Sequence, residues 1–132
     1  GVQLGTQSMP PEGARRVVGK EMLIGVSTQS LDEARAAEVG GADLITYGPI
    51  FETASKARYV HSVGIDAIKM VKSGINIPIF ALGGIKSGSI SKILTSGAYG
   101  ISMISAILGA DDIKKAAEIM VQEVAGAGKG TP

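Results

Sequence analysis

The feature that most constrains this chain is a repeated unit: an apolar run, a short polar junction and an amphipathic segment, five times over in 132 residues. Apolar runs begin near Val2, Met22, Asp43, Ile77 and Tyr99, and the segment after each has its apolar residues at helical spacing. Leu23 to Val26 and Ile77 to Leu82 are apolar at both alternating positions, which suits parallel strands covered on both faces. Parallel neighbours need a crossover connection, and the amphipathic segments supply it. The tripeptides Gly41-Ala42-Asp43 and Gly97-Ala98-Tyr99 lead into two of the runs, so the same helix-to-strand joint recurs.

Helix boundaries follow from capping chemistry. The first helix is predicted to open at Pro10-Pro11, after Ser8 or Met9, and to stop at Gly19, with proline at the entry and glycine at the exit. Ser30-Leu31-Asp32-Glu33 reads as a capping box, in which hydroxyl and carboxylate satisfy two orphan backbone donors, and Gly40-Gly41 ends that helix. Shorter stripes follow: Ile65, Ile68 and Val71 up to Gly74, then Ile90, Ile93 and Leu94 up to Gly97. The last stripe, after Asp111 or Asp112, places Ile113, Ala116, Ala117, Met120, Val121 and Val124 on one face. A single domain over residues 1–124 is expected, followed by a flexible tail over 125–132, whose Gly-rich composition can bury little.

Composition excludes several roles. With a net charge of +1 and scattered Lys and Arg, there is no basic field for nucleic acid. The lack of cysteine removes disulfides, thiolate metal sites and a thiol nucleophile, and is compatible with the reducing cytoplasm, where the chain is expected. Neither a membrane-spanning run nor a signal peptide is visible, so a soluble protein is expected. A content of 45% hydrophobic residues is enough for a real core.

Polar groups gather where the predicted strands end. Gly48 to Lys56, Gly-Pro-Ile-Phe-Glu-Thr-Ala-Ser-Lys, combines a rigid turn, two hydroxyls and an ammonium, which suits an anion. Strand starts recur about every twenty residues, except for roughly thirty-four between Asp43 and Ile77, and the excess lies between Gly48 and Gly64. Gly83-Gly84 ends the next run and Ser105 the one after, like the phosphate cradle that barrels build from their last two strands. Such a chain forms either an open doubly wound sheet or a closed barrel, and the barrel is the leading expectation.

In order and spacing, seven blocks resemble the thiamine phosphate synthase and thiazole tautomerase family: Gly-Val-Gln-Leu-Gly from Gly1, Gly-Val-Ser from Gly25, Gly-Ala-Asp from Gly41, Gly-Pro-Ile-Phe from Gly48, Thr53 to Lys56, Gly-Gly-Ile from Gly83, and Gly-Ile-Ser-Met-Ile-Ser-Ala-Ile from Gly100. The resemblance implies an α/β fold, a partial TIM (β/α)8 barrel made of its last five βα units with parallel strands, three amino-terminal units being absent. It implies a transferase of thiamine biosynthesis that joins hydroxymethylpyrimidine pyrophosphate to thiazole phosphate and releases pyrophosphate with the help of magnesium. By position, Lys56 would be catalytic and would hold the diphosphate together with Ser27. Thr53, Ala54 and Ser55 would line the thiazole phosphate site, with backbone amides at Gly84, Ile104 and Ser105 cradling the phosphate.

Two positions depart from the family pattern. Ser8 stands where the family has a magnesium-ligating Asp, and Gln29 stands where it often has a His proposed as tautomerase base. A metal ligand is therefore not expected from this chain, and the thiazole tautomerase alternative is weakened. The chain by itself is expected to be inactive and to self-associate through open sheet edges and apolar inner faces. Alternatives are a non-catalytic phosphate-binding or regulatory module and another phosphate-binding barrel enzyme. Ser27 reads equally as a structural hydroxyl. His61 and Arg58 are given no role, and Met103 and Met120 read as core fillers.

Overall fold

The structure, a computed structural model, describes residues 1–53 and 61–128. Five strands, β1 (Val2–Leu4), β2 (Ile24–Thr28), β3 (Leu44–Tyr47), β4 (Ile79–Leu82) and β5 (Gly100–Ser102), form one sheet in chain order, every pair parallel. Between and after them run α1 (Pro11–Val18), α2 (Leu31–Val39), α3 (Asp66–Gly74), α4 (Ile90–Thr95), α5 (Ser105–Leu108) and α6 (Ile113–Ala127). A strand order that never reverses is the winding of a βα barrel, whereas a doubly wound sheet has a switch point. The fold is thus a partial barrel. No helix among the described residues is long and apolar enough to cross a membrane.

Register sorts the side chains. Ser27, Thr46, Phe80 and Gly100 are aligned across β2 to β5 and share the inner face. Their neighbours Ile45, Tyr47, Ile79 and Ala81 point the other way and are buried against Ala34 and Ala37 of α2, Ile68 and Val71 of α3, and Ile90 and Ile93 of α4. The core is therefore the layer between sheet and helices. The expected apolar inner face exists on β4, with Phe80 and Leu82. On β1 to β3 that face is mixed: Leu44 lies there opposite Gly25, beside Gln3, Ser27 and Thr46, which bond to one another.

The repeated joint is one local structure used twice. Gly41 and Gly97 have φ of 88° and 109°, Ala42 and Ala98 are buried, and the amides of Asp43 and Tyr99 donate to the carbonyls of Ile24 and Ile79, each at 2.8 Å. At the first joint Arg15 of α1 reaches across. Its guanidinium donates to the carbonyls of Gly19, Met22 and Gly41 at 2.9, 2.6 and 3.0 Å and to the Asp43 carboxylate. Asp43 in turn accepts the Ile24 N–H at 2.7 Å. That backbone bond, aided by Arg15 and opposed by partial burial, holds the Asp43 carboxyl below its ordinary value.

Helix ends follow their caps. The Ser30 hydroxyl accepts the Glu33 N–H at 3.1 Å, while the Glu33 carboxylate accepts the N–H of Gln29, one residue ahead of the cap, at 2.6 Å. Ser30→Ala is expected to cost about 1 kcal/mol, read as a lower urea midpoint at unchanged m-value. Asp112 caps α6 through the Lys115 N–H at 2.9 Å, and the helix runs as far as Ala127, into the segment expected as tail. Of the stripe on α6, Met120 is buried, while Ile113, Val121 and Val124 are exposed. Helix α5 was not expected, since four residues are too few to show a helical period.

Candidate functional site

The loop after β3 begins with a cis Gly48-Pro49 peptide and continues beside the end of β4. The amides of Ile50 and Phe51 donate to the carbonyls of Leu82 and Gly83 at 2.9 and 3.1 Å. The chain returns at Val63 and Gly64, whose amides donate to the carbonyls of Pro49 and Ile50 at 2.9 and 3.0 Å. Both stems of the long loop are thereby tied to one place. Side chains are excluded here by close approach. A Cβ on Gly48 would overlap the Leu82 carbonyl oxygen, and one on Gly84 would lie 2.7 Å from the Glu52 carbonyl oxygen and 2.8 Å from Phe51 Cβ. The glycine at 84 thus has a structural cause, the neighbouring loop, whatever ligand comes near it.

Next to this packing lies a pocket of about 300 Å³. It brings Thr53, Gly84, Ile104 and Ser105 together, with Pro49, Leu82 and Met103 among its apolar walls. Met103 is therefore a wall of this pocket as well as a packing residue. Helix α5 begins at Ser105, and the first amides of a helix have no carbonyl one turn back to bond. A small, mostly apolar slot with a few backbone donors at one end fits a flat body bearing an anionic group. Ala54, Ser55 and Lys56, and also Arg58, lie outside the described residues. His61 is exposed.

Ser27 does not line that pocket. It borders a separate cavity of about 710 Å³ together with Gly5, Ser8 and Thr28. The hydroxyl of Ser8 is engaged, accepting the Gly5 N–H at 2.9 Å, and closes the turn after β1. Magnesium asks for several hard, preferably anionic oxygens. The residues present do not fit it: Ser8 offers one neutral oxygen that already accepts the Gly5 N–H, and no group of three or more His, Cys, Asp or Glu able to hold a metal occurs among the described residues.

Two residues that sequence reasoning passed over belong to this region. Gln3 bonds to Ser27 and Thr46 on the inner face. Glu123 of α6 accepts from the Ser87 hydroxyl and from the Gly88 N–H, the latter at 2.9 and 3.1 Å to its two oxygens, in the loop just beyond Gly84. Those donors hold its carboxyl below the ordinary value. Gln3 could be found only from the strand register. No local signal points to Glu123, which lies 36 residues from Ser87.

Parallel strands wound in order, with a pocket beyond their carboxyl ends, define a βα-barrel protein of the kind that takes its ligand at that rim. The family model for thiamine monophosphate synthase matches residues 1–107, and the chain belongs to that family. It is 45% identical over 119 residues to a thiamine-phosphate synthase of Halalkalibacterium halodurans, covering 90% of this chain and 56% of that protein. Against a thiamine-phosphate synthase of Pyrococcus abyssi the identity is 40% over 129 residues, covering 96% of this chain and 61% of the relative. The solved thiamine phosphate pyrophosphorylase from Pyrococcus furiosus superposes with a TM-score of 0.86 at 37% identity, over 96% of this chain and 60% of its own. The chain thus spans little more than half the length of these relatives.

Proposed function

We propose that this chain carries the thiazole phosphate side of a thiamine phosphate synthase site, and that the whole enzyme joins thiazole phosphate to hydroxymethylpyrimidine pyrophosphate. The observation that carries the reading is the meeting of Thr53, Gly84, Ile104 and Ser105 at one pocket, although they come from three separate segments. In the reaction the bond between the pyrimidine methylene carbon and the diphosphate oxygen breaks, and the electron pair leaves with diphosphate. The thiazole nitrogen lone pair then forms the new C–N bond to the cation-like carbon. Catalysis of such a step is placement of charge around the departing anion. Lys56 supplies an ammonium, Ser27 a hydroxyl proton, and the amides at Gly84, Ile104 and Ser105 fix the thiazole phosphate so that its ring faces the carbon. No step is assigned to magnesium, because the donor set does not fit it.

Titrating the two substrates separately tests this. The chain is expected to bind thiazole phosphate and, more weakly, the pyrimidine diphosphate. Lys56→Ala is expected to weaken the diphosphate about tenfold or more while leaving thiazole phosphate nearly unchanged. Failure to bind thiazole phosphate would remove the reading altogether. Binding of thiazole phosphate alone, with the diphosphate ignored, would favour the second reading, a non-catalytic phosphate-binding module of the same family. Ser8 and Gln29 support that second reading: one is spent on a turn, and the other has no useful proton affinity for a tautomerase base.

A further inference from the structure

Gln3, Ser27 and Thr46 lie on three adjacent strands and meet on the inner face of the sheet. The carboxamide nitrogen of Gln3 donates to the Ser27 hydroxyl oxygen at 3.1 Å and to that of Thr46 at 3.3 Å, and the Thr46 hydroxyl donates to Ser27 at 3.3 Å. A hydroxyl has one proton and two lone pairs. Thr46 uses its proton on Ser27. Ser27 receives two incoming bonds, which fill both lone pairs, so its remaining capacity is its own proton. With the Thr46 proton on it, Ser27 can act only as a donor. The carboxamide is kept in place by the strand beside it. Gln3 stands opposite Gly25 in the β1–β2 register, and a Cβ on Gly25 would overlap Gln3 Oε1 and lie 3.2 Å from its Cδ. The amide therefore rests over the glycine, with its nitrogen turned toward the two hydroxyls.

We propose that Gln3 is a positioning residue: with Thr46 it holds the Ser27 hydroxyl as an obligate donor toward an anion on the inner face, a role that rests on the diphosphate site proposed above. An unconstrained serine hydroxyl rotates and is as ready to accept as to donate. An anion gains nothing from the accepting orientation. Filling the lone pairs from behind removes that orientation before the ligand arrives, which is preorganisation of a charge-assisted hydrogen bond.

Two measurements on the full 132-residue chain decide it. In nitrogen–proton correlation spectra, the side-chain amide of Gln3 is expected to shift and to exchange faster with water in Ser27→Ala and in Thr46→Val. A Gln3 amide indifferent to both would overturn the contact. In titrations with inorganic pyrophosphate, Ser27→Ala and Gln3→Leu are each expected to lose about tenfold in affinity, and the double variant should be no weaker than Ser27→Ala alone. Additive losses would mean that Gln3 acts independently of Ser27, and would overturn the proposal. Thr46→Val removes one hydroxyl at nearly constant shape, so its loss, silent once Ser27 is alanine, repeats the test if Gln3→Leu folds poorly. A neutral Gln3→Leu in a chain that binds pyrophosphate would refute the positioning role and leave the diphosphate site standing. A chain that binds no pyrophosphate, with the Gln3 amide still coupled to Ser27, would instead refute the diphosphate site and the direction of the donated proton with it.

Discussion

Alanine in place of Gly48 is expected to separate the β3 loop from β4 and to abolish thiazole phosphate binding in the same stroke. The added Cβ overlaps the Leu82 carbonyl oxygen and lies 2.9 Å from its carbonyl carbon, and both are backbone atoms of a central strand that cannot turn aside. The loop must move instead. Moving it breaks the bonds from Ile50 to Leu82 and from Phe51 to Gly83, which set the wall of the Gly84 pocket. Overpacking against flexible side chains costs about 1–3 kcal/mol, so against fixed backbone at least about 3 kcal/mol is expected, read as a large drop in the urea midpoint. A useful control is Gly126→Ala, where a Cβ meets nothing within 4 Å on α6. That change is expected to stabilise the chain by about 0.5–1 kcal/mol through helix propensity. An unchanged midpoint for Gly48→Ala would show that the loop is not packed as described.

The second large effect is expected at the Arg15–Asp43 joint. Arg15→Ala removes the guanidinium from three backbone carbonyls and from a carboxylate that keeps only the Ile24 N–H. Hydrogen bonds to charged groups are each worth about 1.5–3 kcal/mol, and several of these are partly solvated, so a net loss of about 3 kcal/mol is expected. Asp43 adds a pH dependence whose sign follows from its lowered pKa. A carboxyl that ionises more readily in the folded state than its ordinary value of 3.8 contributes stability above the unfolded pKa, and loses it as pH falls through the folded one. The native chain should therefore weaken on its acid limb. Asp43→Asn, less stable near neutrality, should show a flatter limb below about pH 4. Parallel acid limbs for the two proteins would contradict the assignment.

What could be read from the amino acids alone was what is written locally. Pro11 and Gly19 bracket α1, Ser30 and Glu33 cap α2, and the Gly-Ala joints recur because each is settled within a few residues of chain. Thr53, Gly84, Ile104 and Ser105 were nameable through the family pattern, and the structure brings these four to one pocket. The remainder depends on register and on distant segments. Gln3 acquires its partners only because β1, β2 and β3 align it with groups 24 and 43 residues away. The salt bridge of Arg15 spans 28 residues, and nothing near either partner announces it. The mixing of Leu44 with Gln3, Ser27 and Thr46 on the inner face of β1 to β3 was out of reach for the same reason. Apolar runs describe what a strand can bury, but which residues face inward is fixed by pairing.

Glu123 has an implication for how the molecule transmits disturbance. The last helix grips the loop carrying Ser87 and Gly88, and that loop continues directly from the glycines beside the pocket. The carboxy-terminal helix is accordingly a buttress for the surroundings of the pocket and not an appendage. Whatever tugs on that helix, whether a neighbouring protein or a fused domain, pulls on the loop that leads out of the pocket wall at Gly84 and Ile85.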